Sequence, residues 1–331
     1  MKPIVVLGSI NQDTIIRVDE LPSPGETVLG STLEVRPGGK GANQAVAAAR
    51  LGGQVFLVGM VGDDSAGREM SEQLANKGVD VSMVTAASGK LTGMATVLVD
   101  SHGQNMIAVI SGANGEVGDV HVKLAVEALT LRGGVAVAQL EVPENVVKTA
   151  LDMLKEVEGV TTILNPSPAS KVSPETFSGV DVLVVNEVEA AQLVGYAGSI
   201  ESYPQALEVA ALLASHEINT VIITLGPLGA VMYDRGDLIA LEPPQVEVVD
   251  TTGAGDAFVG ALSAGVSNGW ALKRSFDFAV CAGALATTRR GAQDSLPSLE
   301  DLVNLDLQLP LINKYSSSTR PTNKGGHGDV D

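Results

Sequence analysis

Cysteine is nearly absent from this sequence, which has one, Cys281, among 331 residues. One thiol can form neither an internal disulfide bond nor a cysteine-based zinc cluster. The apolar neighbours of Cys281 indicate a buried thiol rather than a reactive nucleophile. A chain without disulfide bonds is compatible with a reducing compartment, so we expect a cytoplasmic protein and leave access to the nucleus open.

Positive charge, aromatic side chains and long apolar runs are also scarce. The chain has 21 Lys and Arg against 39 Asp and Glu, a formal net charge of −18 and a sequence pI near 4.5. This balance argues against general binding to nucleic acid and against attraction to anionic membranes. No apolar run is long enough to span a bilayer. Aromatic residues make up 3% and hydrophobic residues 45%, so the core must be mostly aliphatic.

Short apolar runs alternate with amphipathic stretches along most of the chain, which is typical of strands and helices in an α/β protein. Strands are predicted at 4–9, 55–62, 134–140, 160–165, 181–186 and 220–226. Helices are predicted at 65–77, 120–131, 144–157, 187–194, 204–215 and 271–288. This order predicts a mostly parallel sheet with helices on both faces.

Several segments stand apart from this alternation. Two hairpin-like segments, 14–36 and 94–110, predict small antiparallel excursions from the main sheet. Segment 232–249 contains two more short strands around an Arg-Gly-Asp turn and predicts an antiparallel extension at the sheet edge. The final segment, 314–331, has almost no apolar side chain, so we expect a disordered tail after one large domain spanning 1–313.

One stretch, 250–264, has the sequence D-T-T-G-A-G-D-A-F-V-G-A-L-S-A and organises the functional prediction. It follows a strand-like run at 246–249 and begins a helix of small and apolar residues. Gly253, Ala254 and Gly255 would keep bulky side chains away from the backbone N–H groups at the helix start. Phosphate oxygens bind favourably at such a start, so the stretch predicts a phosphate-binding turn.

Asp256 lies just inside this predicted helix. A carboxylate that faces a phosphate repels it, so its presence here suggests a chemical role. One such role is to take a proton from a hydroxyl that attacks the transferred phosphoryl group. Alternatively, Asp256 only caps the helix or complements its dipole. An isolated G-A-G-D motif does not decide between the two, because short glycine motifs recur by chance.

A second glycine-rich stretch, 36–52, has the sequence R-P-G-G-K-G-A-N-Q-A-V-A-A-A-R-L-G. It is not a P-loop, because no Ser or Thr follows Lys40. Its glycines predict a tight turn before an alanine-rich helix. Backbone N–H groups at this helix start, together with Asn43, would suit a polar ligand such as a sugar. Lys40 either belongs to that ligand loop or is a solvated surface residue.

Polar side chains also follow several predicted strands, at the end where open α/β sheets bind ligands. Asn11 and Asp13 come after the first strand, and Glu141 follows a later one. Each of them also fits an ordinary turn or surface position. Asn186 and Glu189 begin a predicted helix with a spacing that equally fits a helix-capping box.

Together these motifs resemble the PfkB, or ribokinase-like, family of carbohydrate kinases. The similarity rests on D-T-T-G-A-G-D-A-F-V-G-A-L near the C-terminus, and on G-S-I-N-Q-D and G-G-K-G-A-N-Q-A-V-A-A-A-R-L-G near the N-terminus. It runs from about Ile4 to about Pro297. The resemblance implies a ribokinase-like three-layer α/β/α fold with a mostly parallel central sheet and a small antiparallel β lid. Two such lids often clasp, so it also implies a homodimer through the lid.

The resemblance implies an enzyme that uses ATP and Mg²⁺ to phosphorylate a sugar hydroxyl. The two N-terminal motifs are most similar to members that act on the 5-hydroxyl of D-ribose, while deoxyribose, fructose and adenosine are alternative acceptors. A non-catalytic sugar or nucleotide sensor is an alternative from a different class. It would leave Asp256 and the complete glycine turn without a task.

Residue roles carry over from the family position by position. The sugar would lie against Asn11, Gln12, Asp13, Gly39, Lys40, Gly41, Ala42, Asn43 and Glu141. ATP would lie across Asn186, Thr224, Leu225, Gly226, Pro227, Leu228, Gly229 and Gly255. The catalytic set would be Asp256 as general base with Gly253, Ala254 and Gly255 as the anion hole. Glu189 would belong to the magnesium environment, and an activating K⁺ would be surrounded by Asp250, Thr252, Ala286, Arg289, Gly291 and Ser295.

One position departs from the family pattern. Val280 stands where many ribokinase-like sequences carry Asn or His beside the adenine. An apolar side chain can pack on the base without making a polar contact, so the sequence defines the phosphate donor less well than the sugar chemistry.

Overall fold

A computed structural model describes residues 1–169, 172–196 and 198–308 of the protein. In chain order, the strands are β1 (Ile4–Leu7), β2 (Asn11–Val18), β3 (Gly30–Gly38), β4 (Val55–Gly62), β5 (Val79–Ala87), β6 (Gly93–Val99), β7 (Asn105–Ile110), β8 (Gly134–Gln139), β9 (Val160–Asn165), β10 (Val182–Asn186), β11 (Thr220–Thr224), β12 (Ala230–Asp234) and β13 (Asp237–Leu241). The α-helices are α1 (Lys40–Arg50), α2 (Ser65–Asn76), α3 (Asp119–Thr130), α4 (Glu144–Lys155), α5 (Glu187–Val194), α6 (Tyr203–Ala214), α7 (Ala254–Ser267), α8 (Leu272–Ala286) and α9 (Leu299–Gln308).

The main sheet has the strand order β13-β12-β11-β10-β9-β8-β1-β4-β5. The strands from β11 through β5 in this order pair in parallel, while β12 and β13 pair antiparallel at one edge. Central strand β1 is buried along its whole length, because its unbroken I-V-V-L run is apolar on both faces. The predicted parallel sheet with an antiparallel edge extension is therefore confirmed.

Two aliphatic cores cover the two faces of this sheet. One core joins the sheet to side chains of α1, α2, α7 and α8, and the other joins it to side chains of α3, α4, α5 and α6. The result is a three-layer α/β/α arrangement, as expected from the alternation of strands and helices. None of the helices in the described part of the chain is long and apolar enough to cross a membrane.

A second, four-stranded sheet has the order β3-β2-β6-β7 and forms the lid. Its strands correspond to the two hairpin-like segments of the sequence, with β2 and β6 pairing in parallel at the centre. Strand β7 is exposed along its whole length. The lid begins directly where β1 of the main sheet ends, so it lies next to the carboxyl edge of that sheet.

The prediction of a strand-like run at 246–249 was wrong. The chain has no strand there, and Val248 and Val249 are exposed. Pro243 and Pro244 precede the run and lack the N–H group that a sheet ladder needs. The backbone instead bonds to the end of α8, where the Val249 N–H donates to the carbonyl of Thr287 at 2.7 Å. The expected disordered tail at 314–331 lies outside the described residues.

Helices α1 and α7 approach closely because α7 carries a glycine at their crossing. A Cβ built on Gly260 would lie 2.4 Å from the Cβ of Ala47 and 2.8 Å from the backbone nitrogen of Ala48. Real Cβ atoms do not come so near, so any larger residue at 260 must push the helices apart. Asp256 lies one turn before Gly260 on α7, so the crossing also holds Asp256 against α1.

We predict that Gly260→Ala lowers the free energy of unfolding by up to about 2 kcal/mol. Crowding of a packed interior costs about 1–3 kcal/mol, which exceeds the gain of up to about 1 kcal/mol when alanine replaces glycine in a helix. Urea denaturation measures the difference. The matched control is Gly255→Ala on the same helix, where a Cβ would meet nothing within 4 Å. Equal or higher stability of both variants would contradict the close packing at Gly260.

Candidate active site

The first turns of α1 and α7 meet at the carboxyl edge of the main sheet, beside the end of β1. Gly39 precedes α1 with a φ of 88°, and a Cβ there would lie 2.9 Å from the backbone nitrogen of Asn11. A Cβ on Gly8 would lie 2.7 Å from the Cα of Gly41. Glycines are therefore required here for backbone contact, and they bring the two N-terminal motifs together.

Asp256 lies in the first turn of α7 with its carboxylate buried against α1. Asn43 Nδ2 donates to Asp256 Oδ2 at 2.9 Å, and Gln44 Nε2 donates to Oδ1 at 3.1 Å. Burial raises the pKa of Asp256, against the charge of Lys40 and the two amide hydrogen bonds, which lower it. Amide donors on both oxygens favour the ionised, acceptor form that a general base needs.

Gln44 is held by two further amides that the sequence analysis did not identify. Gln139 Nε2 donates to Gln44 Oε1 at 2.6 Å, and Gln44 Nε2 also donates to Asn165 Oδ1 at 3.1 Å. Gln139 and Asn165 are the last residues of β8 and β9. The signal that would have found them is a polar residue that ends an apolar strand at the ligand edge of an α/β sheet.

Asp13 and Asn11 lie at the start of β2, facing the same edge. Asp13 Oδ1 is buried without a hydrogen-bond partner, and the carboxylate packs directly on Gly38, where no Cβ would fit. Asn11 Oδ1 accepts a 2.7 Å bond from Asn114 Nδ2, a residue of the 3₁₀ turn 112–116 that sequence reasoning missed. The buried Asp13 Oδ1, which has no hydrogen-bond partner, can accept a hydrogen bond from a ligand hydroxyl.

Glu141 ties the end of β1 to the start of α1. Its Oε2 accepts from Ser9 Oγ at 2.6 Å and from the Lys40 N–H at 2.9 Å. The N–H groups of Gly41 and Ala42 donate to Ser9 Oγ and to the Ser9 carbonyl. The backbone N–H groups at this helix start are therefore already bonded within the protein, so a ligand would meet side chains here. Ser9 was missed by the sequence analysis.

Two of the residues predicted to contact the sugar lie in the core or within the lid sheet. Ala42 is buried in the core of the α1 layer. Gln12 lies inside the lid sheet, in register with Pro37 on one neighbouring strand and Met94 on the other.

The glycine turn before α7 leaves backbone donors without a side-chain cap. Gly253 has a φ of 79° and packs on Ala292, so a side chain is excluded there by both conformation and space. The Ala254 N–H donates to the Thr251 carbonyl at 3.3 Å and is therefore engaged. Gly255 is open, because a Cβ added there would have no neighbour within 4 Å. The fold does not require glycine at 255, whereas a closely approaching phosphate would.

The residues predicted to bind the nucleotide lie at and just after the ends of β10 and β11. Asn186 and Glu189 form a reciprocal capping box at the start of α5, with bonds of 2.8 and 3.0 Å. Thr224 ends β11, and its hydroxyl lies 3.4 Å from the Val185 carbonyl. The capping interpretation of the N-x-x-E motif is thus realised, and it engages the Asn186 side-chain oxygen and one carboxylate oxygen of Glu189.

The predicted Thr224–Gly229 stretch contains a short 3₁₀ turn at Gly226–Leu228. Gly229 has a φ of 91°, and a Cβ there would overlap the Leu241 carbonyl. Leu225 is buried, whereas Leu228 is 41% exposed. Val280 is only 5% exposed within the α8 core, so it presents little surface to a base.

Asp250 joins the two segments predicted to surround a monovalent cation. Its Oδ1 accepts from the N–H and the hydroxyl of Thr252 at 2.9 and 2.6 Å, and its Oδ2 accepts from the Gly291 N–H at 2.9 Å. Ser295 Oγ lies 3.5 Å from the Thr252 carbonyl. The Arg289 guanidinium pairs with Asp301. This oxygen-rich loop fits a hard monovalent cation by its donor set.

One protein-family model matches nearly the whole chain. Residues 1–299 match the model of the pfkB family carbohydrate kinases. Among curated proteins, ribokinase of Haemophilus influenzae is 36% identical over 300 residues, which cover 91% of this chain and 97% of that protein. Ribokinase of Schizosaccharomyces pombe is 40% identical over 304 residues, which cover 89% of this chain and 95% of that protein.

Solved structures agree with the sequence relatives. Ribokinase of Arabidopsis thaliana complexed with ribose and ATP superimposes with a TM-score of 0.83 at 30% identity, covering 92% of this chain and 98% of that one. Ribokinase of Thermotoga maritima gives the same TM-score and identity, covering 93% of this chain and 100% of that one. The three-layer fold and its lid sheet are therefore those of these kinases.

We predict that Asp13→Asn stabilises the protein at pH 8 by about 1–3 kcal/mol. Burial, followed by the charge of Glu141, raises the pKa of Asp13 from 3.8 to about 6. Folding therefore favours the protonated form, and the stability that this provides is full below pH 3.8 and is lost as the pH rises through about 6. The advantage of the neutral asparagine should grow over the same range.

Thermal unfolding at pH 5, 6, 7 and 8 measures this difference. The matched control is Asp63→Asn, because the Asp63 side chain is 64% exposed and loses little hydration on folding. A stability difference for Asp13→Asn that stays constant from pH 5 to pH 8 would contradict a pKa of Asp13 raised to about 6.

Proposed function

We propose that this chain, which belongs to the pfkB family of carbohydrate kinases, transfers the γ-phosphoryl group of ATP to the 5-hydroxyl of D-ribose. The observation that carries the proposal is the buried Asp256 carboxylate, which two amides of α1 hold at the start of α7. A glycine turn and several polar side chains lie near this carboxylate at one edge of the sheet. The curated relatives are ribokinases, and one solved neighbour is complexed with ribose and ATP.

The sugar would lie between α1 and the lid. Asp13, with its unpartnered buried oxygen, and Glu141 provide acceptors for ribose hydroxyls, while Asn11 and Asn43 provide amides. Lys40 contributes positive charge next to the carboxylates, which favours the ionised form of Asp256. The lid would exclude water from the reacting hydroxyl, and water exclusion strengthens each electrostatic contact in the site.

ATP would lie across the ends of β10 and β11 and point its phosphates at the Gly253–Asp256 turn. Ribose O5 would form a bond to the γ-phosphorus while the bond from that phosphorus to the bridging oxygen breaks and ADP leaves. The proton of the 5-hydroxyl would pass to an oxygen of Asp256. Because Ala254 N–H is engaged, the N–H groups of Gly255 and Asp256 are the donors we assign to the moving phosphoryl group.

Mg²⁺ would neutralise charge on the phosphates of ATP, and K⁺ at the Asp250 loop would add positive field beside the anion hole. The described residues contain no cluster of three or more metal-binding side chains. We therefore assign Mg²⁺ mainly to phosphate oxygens and water, with Glu189 acting through water. K⁺ would use Asp250 and oxygens of the 286–295 segment. We also propose that the enzyme acts in the cytoplasm, since one cysteine suits a reducing compartment.

The acceptor assay tests the proposal directly. We expect purified protein with Mg·ATP to release ADP far faster with D-ribose than with deoxyribose, fructose, fructose 6-phosphate or adenosine, because several polar groups would be left unpaired by a poorer acceptor. Turnover should also be higher in K⁺ than in Na⁺. Preference for another acceptor would overturn the assignment of ribose, and equal rates in both salts would overturn that of K⁺.

In the same assay, Asp256→Asn tests whether Asp256 is the general base. Asparagine keeps the size of the side chain but cannot accept the proton, so we expect turnover to fall about 10²–10⁴-fold while ribose binding survives. Wild-type turnover would remove Asp256 from the mechanism. A wild-type protein that binds ribose and releases no ADP with any acceptor would indicate a sensor.

We further propose that two copies associate through the outer face of the lid. Leu33 and Val35 on β3, and Met106 and Ile110 on β7, lie on the face of the lid sheet opposite to Asp13 and are 49–64% exposed. Exposed apolar patches of this kind mark interaction surfaces. Ile110→Lys, on this outer face, should convert the dimer to a monomer in analytical ultracentrifugation. The control is Leu131→Lys at the end of α3, since Leu131 is 94% exposed but lies outside the lid. A wild-type monomer at assay concentration would contradict the proposal.

A further inference from the structure

A chain of side chains connects a lysine at the end of α2 with Asp256. Lys77 Nζ donates to Gln293 Oε1 at 2.7 Å, and Gln293 Nε2 donates to Asn43 Oδ1 at 3.1 Å. Asn43 Nδ2 in turn donates to Asp256 Oδ2 at 2.9 Å. We call Lys77, Gln293 and Asn43 the lysine relay. Gln293 is 2% exposed and Asn43 is 6% exposed, so water does not compete for the Gln293–Asn43 and Asn43–Asp256 bonds.

The lysine fixes the direction of every bond in this relay. An amide side chain has an acceptor oxygen and a donor nitrogen of similar shape, so it can be turned either way in a pocket. An ammonium group can only donate. Lys77 therefore makes the Gln293 oxygen the acceptor, which turns the Gln293 nitrogen to Asn43 and the Asn43 nitrogen to Asp256.

A second chain of amides reaches the other oxygen of Asp256 and is fixed from the opposite side. The Val184 carbonyl can only accept, and it receives a 2.9 Å bond from Asn165 Nδ2. Asn165 must then present its oxygen to Gln44 Nε2, which also donates to Asp256 Oδ1. Gln139 Nε2 donates to the Gln44 oxygen, in agreement with this direction. Both oxygens of Asp256 thus receive an N–H whose orientation is set by a group of fixed polarity.

We propose that Lys77 is a positioning residue for phosphoryl transfer, acting through Gln293 and Asn43 to keep an N–H donor on the Asp256 carboxylate. This inference rests on the proposed role of Asp256 as general base. Without the donor at its far end, the relay can reverse, and Asn43 would then present its carbonyl oxygen to the carboxylate. A carbonyl facing a carboxylate disfavours the charged form, so the base would be protonated over more of the working pH range.

The charged groups around both ends of the relay are few. Lys77 is half-buried, and burial lowers its pKa, while Asp294 raises it and Arg50 lowers it. At the other end, Lys40 and Glu141 are the charged groups that act on Asp256, and Asp13 lies nearby. Lys40 acts on Asp256 through space, whereas Lys77 acts through the direction of two amides, so their effects are separable by substitution.

Reversal of the relay is the sharpest test. Gln293→Glu keeps the size of the side chain and offers Lys77 a carboxylate, yet it has acceptors only, so Asn43 must turn its nitrogen to Glu and its oxygen to Asp256. We expect kcat with ribose to fall about 10-fold, the effect of losing a hydrogen bond to a charged group. The acid limb of the kcat profile should move to higher pH, and Tm should stay within a few degrees of wild type.

A purely structural role for Gln293 predicts a different result. The new ion pair with Lys77 would leave Tm equal or higher, and kcat and its pH profile would not move. A change in KM for ribose at constant kcat would also overturn the proposal, since Asn43 would then serve the sugar alone. If Gln293→Glu fails to fold, Lys77→Met and Lys77→Arg decide: Met should reproduce the loss of kcat and the shifted acid limb, and Arg, which still donates, should restore both. Wild-type behaviour of Lys77→Met would overturn the proposal.

Two comparisons separate this inference from the proposed function. Lys148→Met, at an exposed pair with Asp152 on α4, is the control for loss of a lysine and should leave kcat and its profile unchanged. In an Asp256→Asn background, Gln293→Glu should cause no further loss, because residues that act as a unit are not additive. Additive losses would overturn the relay and leave Asp256 as the base. Full turnover of Asp256→Asn would overturn the base itself, whatever Lys77 does.

Discussion

The Asp256 carboxylate is buried against α1, and the fold must replace the water that this charge gives up. Much of the surrounding structure serves that need. Asn43 and Gln44 donate one N–H to each carboxylate oxygen, and the amides of Gln139 and Asn165 hold Gln44 in turn. The pKa of Asp256 remains raised because burial outweighs these bonds, which leaves a base that is less hydrated and still oriented.

Small side chains make this arrangement possible. Gly260 lets α1 and α7 touch, and Gly39 and Gly41 let the start of α1 reach the end of β1. The same preference for small and aliphatic residues explains how a chain with 3% aromatics builds two cores on the faces of its sheet. Placement of the base therefore depends on backbone contact rather than on large interlocking side chains.

Local patterns in the sequence predicted the elements of the fold and the two glycine-rich stretches, because each pattern reports on its own segment. Helix α5 and strand β4 have the predicted bounds, while the run at 246–249 is not a strand, since the prolines before it withhold N–H donors. The lysine relay and the second chain of amides could not be predicted from local patterns. Lys77 and Gln293 are 216 residues apart, and their contact depends on tertiary packing that no local pattern reports.

The central claim is that Asp256 takes the proton of the sugar hydroxyl that attacks ATP. A crystal structure of the wild-type protein with D-ribose, Mg²⁺ and a non-hydrolysable ATP analogue tests it most directly. The account predicts that the 5-hydroxyl oxygen of ribose lies about 2.6–3.2 Å from a carboxylate oxygen of Asp256, in line with the γ-phosphorus. A 5-hydroxyl bonded instead to another residue, with Asp256 out of reach, would contradict it.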